Sequence, residues 1–208
     1  MCAECKKKIV YVSQPRCMRC GKPIRDEDKE YCFDCEKKAS CITQGRSLWL
    51  HKEPVSTAVY KFKYKNKRSW GEVFAGEMAK YYTDQIKKWE IEEMIPIPLH
   101  QSRRRKRGYN QAEILARYLS EKTGVPYASD VLFRTKKTTA QKQLDRQERM
   151  ANLRGAFSVS KEWKPAENVL LIDDIYTTGA TLEQAAKILK KAGVQNVYFL
   201  TISIGQGI

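Results

Sequence analysis

The chain has 208 residues, 42% of them hydrophobic and 30% charged. That is enough apolar side chain to bury a core, which excludes wholesale disorder, and too much length for a disulfide-stapled miniprotein. No run approaches the ~20 apolar residues of a membrane-spanning helix, and Met1 leads into Cys2 and a run of lysines with no secretory leader, so a cytoplasmic protein with reduced cysteines is expected.

The net charge of +15 is unevenly placed. Residues 1–70 hold 17 basic and 8 acidic side chains and residues 95–168 hold 16 and 7, whereas 71–94 is acidic on balance and 169–208 is neutral. Two basic blocks favour a polyanionic partner, either a phosphorylated small molecule or nucleic acid. A solvated basic surface is the plain alternative.

Six of the seven cysteines fall in three CxxC pairs, Cys2/Cys5, Cys17/Cys20 and Cys32/Cys35, and Cys41 stands alone. A CxxC turn points two thiolates at one tetrahedral ion, and two such turns complete a closed site. Cys17, Cys20, Cys32 and Cys35, with an eleven-residue loop between the pairs, are therefore read as ligands of a structural Zn2+. A redox-active CxxC normally opens a helix after a strand, and no apolar run leads directly into Cys17. Cys2/Cys5 is either half of a second ribbon or a competitor for one corner of the same ion, and Cys41 reads as a small buried hydrophobe. This module, residues 1–45, is too small to stand on apolar burial, so zinc should supply most of its stability. Residues 46–208 make the larger domain.

Residues 54–68 read two ways. Tyr60, Phe62 and Tyr64 alternate with lysines as in a strand, while Val55, Val59 and Phe62 fall at helical spacing after Pro54 and Ser56; a helix running into a basic loop is favoured. The mixture of cations and aromatics also fits a single-strand nucleic-acid platform, although core packing is the commoner use of such rings. Gly71–Trp89, with Val73, Phe74, Met78, Tyr81 and Tyr82, is expected as a core-facing helix, and Glu93–Pro98 as a short buried strand stopped by prolines. The run Arg103-Arg104-Arg105-Lys106-Arg107 is placed in the turn after that strand, where open α/β sheets bind ligands, ahead of a helix carrying Ile114, Leu115, Tyr118 and Leu119. Residues 134–154 are basic and poor in apolar anchors, and are expected as a mobile loop suited to phosphate capture or as a plain connection.

The sharpest signal is Val169-Leu-Leu-Ile-Asp173-Asp174-Ile-Tyr-Thr177-Thr178-Gly179-Ala180-Thr181. Four apolar residues make a buried parallel strand with two carboxylates at its C-terminal end. The Thr-Thr-Gly-Ala-Thr turn then feeds the helix Leu182–Ala192. Gly179 lets backbone amides close around an anion, and the helix N-terminus adds a favourable dipole. Carboxylates beside a phosphate must address something neutral or cationic, and sugar hydroxyls and Mg2+ satisfy both conditions.

This thirteen-residue string resembles the phosphoribosyl pyrophosphate (PRPP) signature of type I phosphoribosyltransferases. Together with the cysteine-rich start, Pro96-Ile-Pro98, Arg107-Gly-Tyr-Asn-Gln-Ala112 and Gln141…Leu144…Arg149…Asn152…Ala156-Phe157, it is similar to the ComF family of competence and DNA-uptake proteins. The resemblance implies an α/β fold, a type I phosphoribosyltransferase-like parallel sheet flanked by helices, behind a small N-terminal four-cysteine zinc ribbon. It implies that Asp173 and Asp174 meet the ribose 2′- and 3′-hydroxyls and that Thr177, Thr178, Gly179, Ala180 and Thr181 hold the 5′-phosphate. Arg103, Arg104, Arg105 and Arg107 would serve pyrophosphate or nucleic acid. Lys136, Lys137 and Arg146 would neutralise charge in a loop over an active site. Implied partners are PRPP with Mg2+, single-stranded DNA, and a competence helicase (ComFA-like) or another DNA-uptake protein. A non-enzymatic nucleic-acid adaptor and a nucleobase salvage enzyme are the alternatives; the zinc module and the basic blocks weigh against salvage.

Overall fold

The computed structural model describes residues 3–135 and 155–205. The cysteine-rich segment carries α1 (Ala3–Lys8) and α2 (Phe33–Glu36), and is followed by β1 (Gln44–Leu50), α3 (Val55–Tyr64), α4 (Trp70–Lys88) and β2 (Glu93–Pro96). Then come α5 (Gln101–Arg107), α6 (Gln111–Thr123), the short strands β3 (Leu132–Arg134) and β4 (Phe157–Val159), and finally β5 (Asn168–Tyr176), α7 (Ala180–Ala192) and β6 (Asn196–Ile204). Four strands form an all-parallel sheet in the order β1-β6-β5-β2. β3 pairs antiparallel with β4 apart from it. Among the described residues no helix is long and apolar enough to cross a membrane.

The apolar run of β5 follows from its position. Val169, Leu170, Leu171 and Ile172 have no exposed surface. Val169 and Leu171 pack with Ala185, Ala186 and Leu189 of α7, while Leu170 and Ile172 pack with α3, α4 and α6 through Phe62, Met78 and Leu115. A strand covered on both faces must be apolar at consecutive positions.

The expected helix over 54–68 and the short strand before Pro98 are both present. Three expectations need correction. The Arg103–Arg107 run is helical rather than a turn: His100 Nδ1 accepts from Ser102 N at 3.2 Å as the N-cap, Gly108 in the left-handed region (φ 79) closes the C-terminus, and Arg and Lys are good helix formers that suit a helix's negative end. Val73 and Tyr81 lie off the buried stripe of α4, which is Phe74, Ala75, Met78, Ala79, Tyr82 and Ile86; Tyr81 stacks on Tyr11 instead, centroids 4.6 Å apart. The strand expected to end at Ile172 runs from Asn168 to Tyr176, so both aspartates sit within it.

The cysteine-rich segment packs directly against the sheet. Its four buried thiols share a core with Ile42, Ala185 and Phe199. Gly45 N donates to Arg19 O at 2.6 Å and Gln44 Nε2 to Met18 O at 2.7 Å. Glu183 in the first turn of α7 accepts from Ser40 Oγ at 2.6 Å and from Cys41 N at 2.7 Å, leaving Cys41 half-buried rather than buried. Gly45 is obligatory here, because a Cβ would lie 1.9 Å from the Phe199 ring.

Both outer strands are covered along their edges. Residues 10–12 run beside β1, with Val12 N donating to Leu48 O at 3.1 Å and Leu50 N to Val10 O at 2.9 Å. Beside β2, Met94 N donates to Pro126 O at 2.9 Å and Ala128 N to Met94 O at 3.0 Å.

Candidate functional site

A cleft of about 820 Å³ opens where β5 and β2 end, a size suited to a small molecule. One side is the continuous stretch from Asp173 to Leu182, with only Thr178 missing from the lining. Asp174 is 8% exposed and its Oδ1 receives Lys63 Nζ of α3 at 2.8 Å. Asp174 N donates to Asp173 Oδ1 at 2.8 Å. Desolvation, followed by the neighbouring Asp174 charge, pushes the Asp173 carboxyl up to about 7. Gly179 takes φ 74 as the N-cap of α7, and a Cβ there would lie 2.5 Å from Tyr176 Oη, so the turn needs glycine twice over, for its backbone and for the ring beside it. Ala180, Thr181 and Leu182 then present the positive end of a 13-residue helix to the cavity.

The rest of the lining comes from separate places. Lys63 and Tyr64 come from the end of α3 and Asn66 from just after it, and Arg103, Lys106 and Arg107 from α5. Asn110, Gln111 and Ala112 start α6, Ile97 to Leu99 follow β2, and Tyr109, His51 and Arg134 also line the cavity. Asn110 is held on both sides, Nδ2 donating to Ile97 O at 3.0 Å and Oδ1 accepting from Ala112 N at 3.2 Å. Burial, then the nearby charge of Arg103, lowers Arg134 to about 10, with Asp173 acting in the opposite sense.

The expected site residues are thus partly gathered. Asp173, Asp174, Thr177, Gly179, Ala180, Thr181, Arg103 and Arg107 meet at the cleft. Thr178 lines a separate crevice of about 90 Å³ with Arg19, Cys35 and Ser40. Arg104 pairs with Glu113 Oε2 at 3.3 Å, and neither it nor Arg105 lines the cleft. Lys136, Lys137 and Arg146 lie outside the described residues. The sequence pointed to Lys63 only as one cation of an aromatic stretch, to Arg134 only as the start of the basic 134–154 stretch and to Gln111 only within the 107–112 string, and gave no sign of His51.

The four cysteines form a separate centre. One Sγ from each of Cys17, Cys20, Cys32 and Cys35 lies within 4.8 Å of the others, all four residues buried, and Cys20 and Cys32 are 3.7 Å apart. Zn–S bonds of ~2.3 Å in a tetrahedron require S···S separations of ~3.8 Å, so the donor set fits zinc with no open coordination position. That geometry suits structure rather than catalysis.

A parallel sheet with an acid-acid strand end, a glycine turn on a helix N-terminus and a four-cysteine ribbon behind them defines a phosphoribosyltransferase-type α/β domain with an N-terminal zinc ribbon. The comparisons agree: residues 105–203 match the phosphoribosyl transferase domain family and residues 1–36 the double zinc ribbon domain. Competence protein F of Haemophilus influenzae is 32% identical over 95% of this chain and 87% of its own. Competence protein ComFC of Bacillus subtilis is 27% identical over 93% of this chain and 79% of its own. DNA utilization protein YhgH of Escherichia coli K12 is 31% identical over 50% of this chain and 45% of its own. The chain belongs to the ComF family of competence proteins.

Proposed function

We propose that the protein binds PRPP with Mg2+ in this cleft and that the bound ligand serves DNA uptake, in which the protein handles incoming single-stranded DNA. The observation that carries the reading is the meeting of Asp173 and Asp174, the Thr177–Thr181 turn and the cations Arg103, Lys106 and Arg107 around one cavity. The relatives named for competence and DNA utilization support the DNA side of it. In this reading residues 1–45 are the zinc-ribbon module and 46–208 the ligand-binding domain.

The turn and the α7 N-terminus take the 5′-phosphate, with Thr178 bracing the turn from behind. Asp173, whose carboxyl is short of compensating charge, gains by accepting sugar O–H groups or by facing a cation. When bound, Mg2+ supplies positive charge to the diphosphate. Departure of pyrophosphate from C1′ would then depend on the chain's cations to stabilise the leaving oxygens and on the cleft to orient the sugar; Lys136, Lys137 and Arg146 are the further charge neutralisers proposed.

For the strand, Tyr60 and Tyr64 lie half-exposed on α3 with centroids 5.0 Å apart, among Lys61, Lys65 and Lys67. Flat rings beside cations stack bases without regard to sequence, which also favours the second reading, an adaptor that binds nucleic acid without turnover. A competence helicase (ComFA-like) or another uptake protein is the proposed protein partner. Isothermal titration with PRPP and Mg2+ tests the first reading: saturable heat is expected. Absence of heat, alongside tight and salt-sensitive oligonucleotide binding, leaves the adaptor.

A further inference from the structure

Gln111 is 1% exposed, yet it lines the cleft. Its Nε2 has no hydrogen-bond partner among the described residues. Its Oε1 is taken by Arg107 Nη1, and the Arg107 guanidinium in turn lies 4.9 Å above the Tyr64 ring. Arginine can only donate, so the amide oxygen must face Arg107 and the NH2 must face the other way. A buried donor left without an acceptor is costly, and it costs nothing once a ligand oxygen arrives. The same residue opens α6, a helix of 13 residues capped by Asn110, whose positive end therefore reaches the same place.

On the reading that the cleft holds PRPP, we infer that Gln111 is a direct donor to the oxygens of the ligand's diphosphate and that Arg107 is its positioning residue. The stack on Tyr64 holds the guanidinium, the guanidinium holds the amide oxygen, and the NH2, enclosed and unpartnered among the described residues, is the donor that a ligand oxygen entering the cleft would engage. Arg107 then works through Gln111, while Arg103 and Lys106 supply charge.

The test is titration of PRPP with Mg2+, of pyrophosphate and of ribose 5-phosphate into the full chain and into Gln111→Met, Arg107→Met and the double variant. Gln111→Met should bind PRPP and pyrophosphate about tenfold to a hundredfold more weakly and ribose 5-phosphate within twofold of wild type, a split that a merely structural role would not produce. The double variant should be no weaker than Gln111→Met, because residues acting as one unit are not additive. In the unaltered protein, the Gln111 side-chain NH2 resonance should move on adding pyrophosphate and stay on adding ribose 5-phosphate, which needs no variant to fold. Unchanged PRPP and pyrophosphate affinity in Gln111→Met, or additive losses in the double variant, overturns the inference while leaving the PRPP reading standing. Wild-type protein that binds neither PRPP nor pyrophosphate overturns both.

Discussion

One wall of the cleft is a single stretch of chain from Asp173 to Leu182, whereas the other is gathered from α3, α5, the start of α6, β3 and His51. The first wall is fixed by local rules: a strand end, a glycine that accepts φ 74 and a helix N-terminus in unbroken order. The second exists only after packing. Lys63 reaches Asp174 because Phe62 beside it is fully buried against Phe74, and Arg107 reaches Gln111 across the turn at Gly108. A ligand site can therefore be half local and half collective, and the two halves should fail differently under substitution.

The largest effect expected is from metal loss, because the ribbon braces the local wall from behind through Glu183 and the crevice at Thr178. Chelation or Cys17→Ser should unfold the ribbon, since structural zinc in small modules is worth on the order of 10 kcal/mol; zinc analysis and circular dichroism check this, and loss of PRPP binding should accompany it. Next, Asp173→Asn with Asp174→Asn should weaken PRPP binding by about a hundredfold or more, with the melting temperature held within a few degrees; calorimetry and thermal melts read both. Gly179→Ala should cost about 1–2 kcal/mol of stability and roughly tenfold in PRPP affinity, the Tyr176 ring having to move as well.

A smaller, signed effect concerns Asp173. Its folded pKa of about 7 is above its ordinary 3.8, so the fold disfavours the charged form. That cost is absent below pH 3.8, grows as pH rises and is complete above about 7. Asp173→Asn should therefore stabilise the protein at pH 8, with the gain shrinking toward pH 4; thermal melts across that range decide it. The smallest effect sharpens the collective wall: Arg104→Ala and Arg105→Ala should leave PRPP affinity within twofold, because neither side chain lines the cleft.

The parallel sheet, the zinc ligands and the local wall were legible because each is a short contiguous pattern with one physical solution: consecutive apolar residues, paired CxxC turns, a glycine between a strand and a helix. β1 escaped notice because Gln44–Leu50 mixes polar and apolar residues and owes its place to pairing with β6. The arginine run was misread as a turn because its cap is a histidine, a residue outside the usual N-cap set. Gln111 appeared only within the 107–112 string and Arg134 only at the head of a basic stretch, since the particular role of a buried polar side chain declares itself only through the neighbours that surround it.

The covered margins of the sheet bear on how such a protein can crowd. A basic molecule gathered along a polyanion meets many copies of itself, and exposed strand margins would then zip together into aggregates. The segments at 10–12 and 126–128 occupy the margins of the four-stranded sheet with backbone hydrogen bonds of their own, so along those stretches a neighbouring copy finds fewer unpaired backbone groups to pair with.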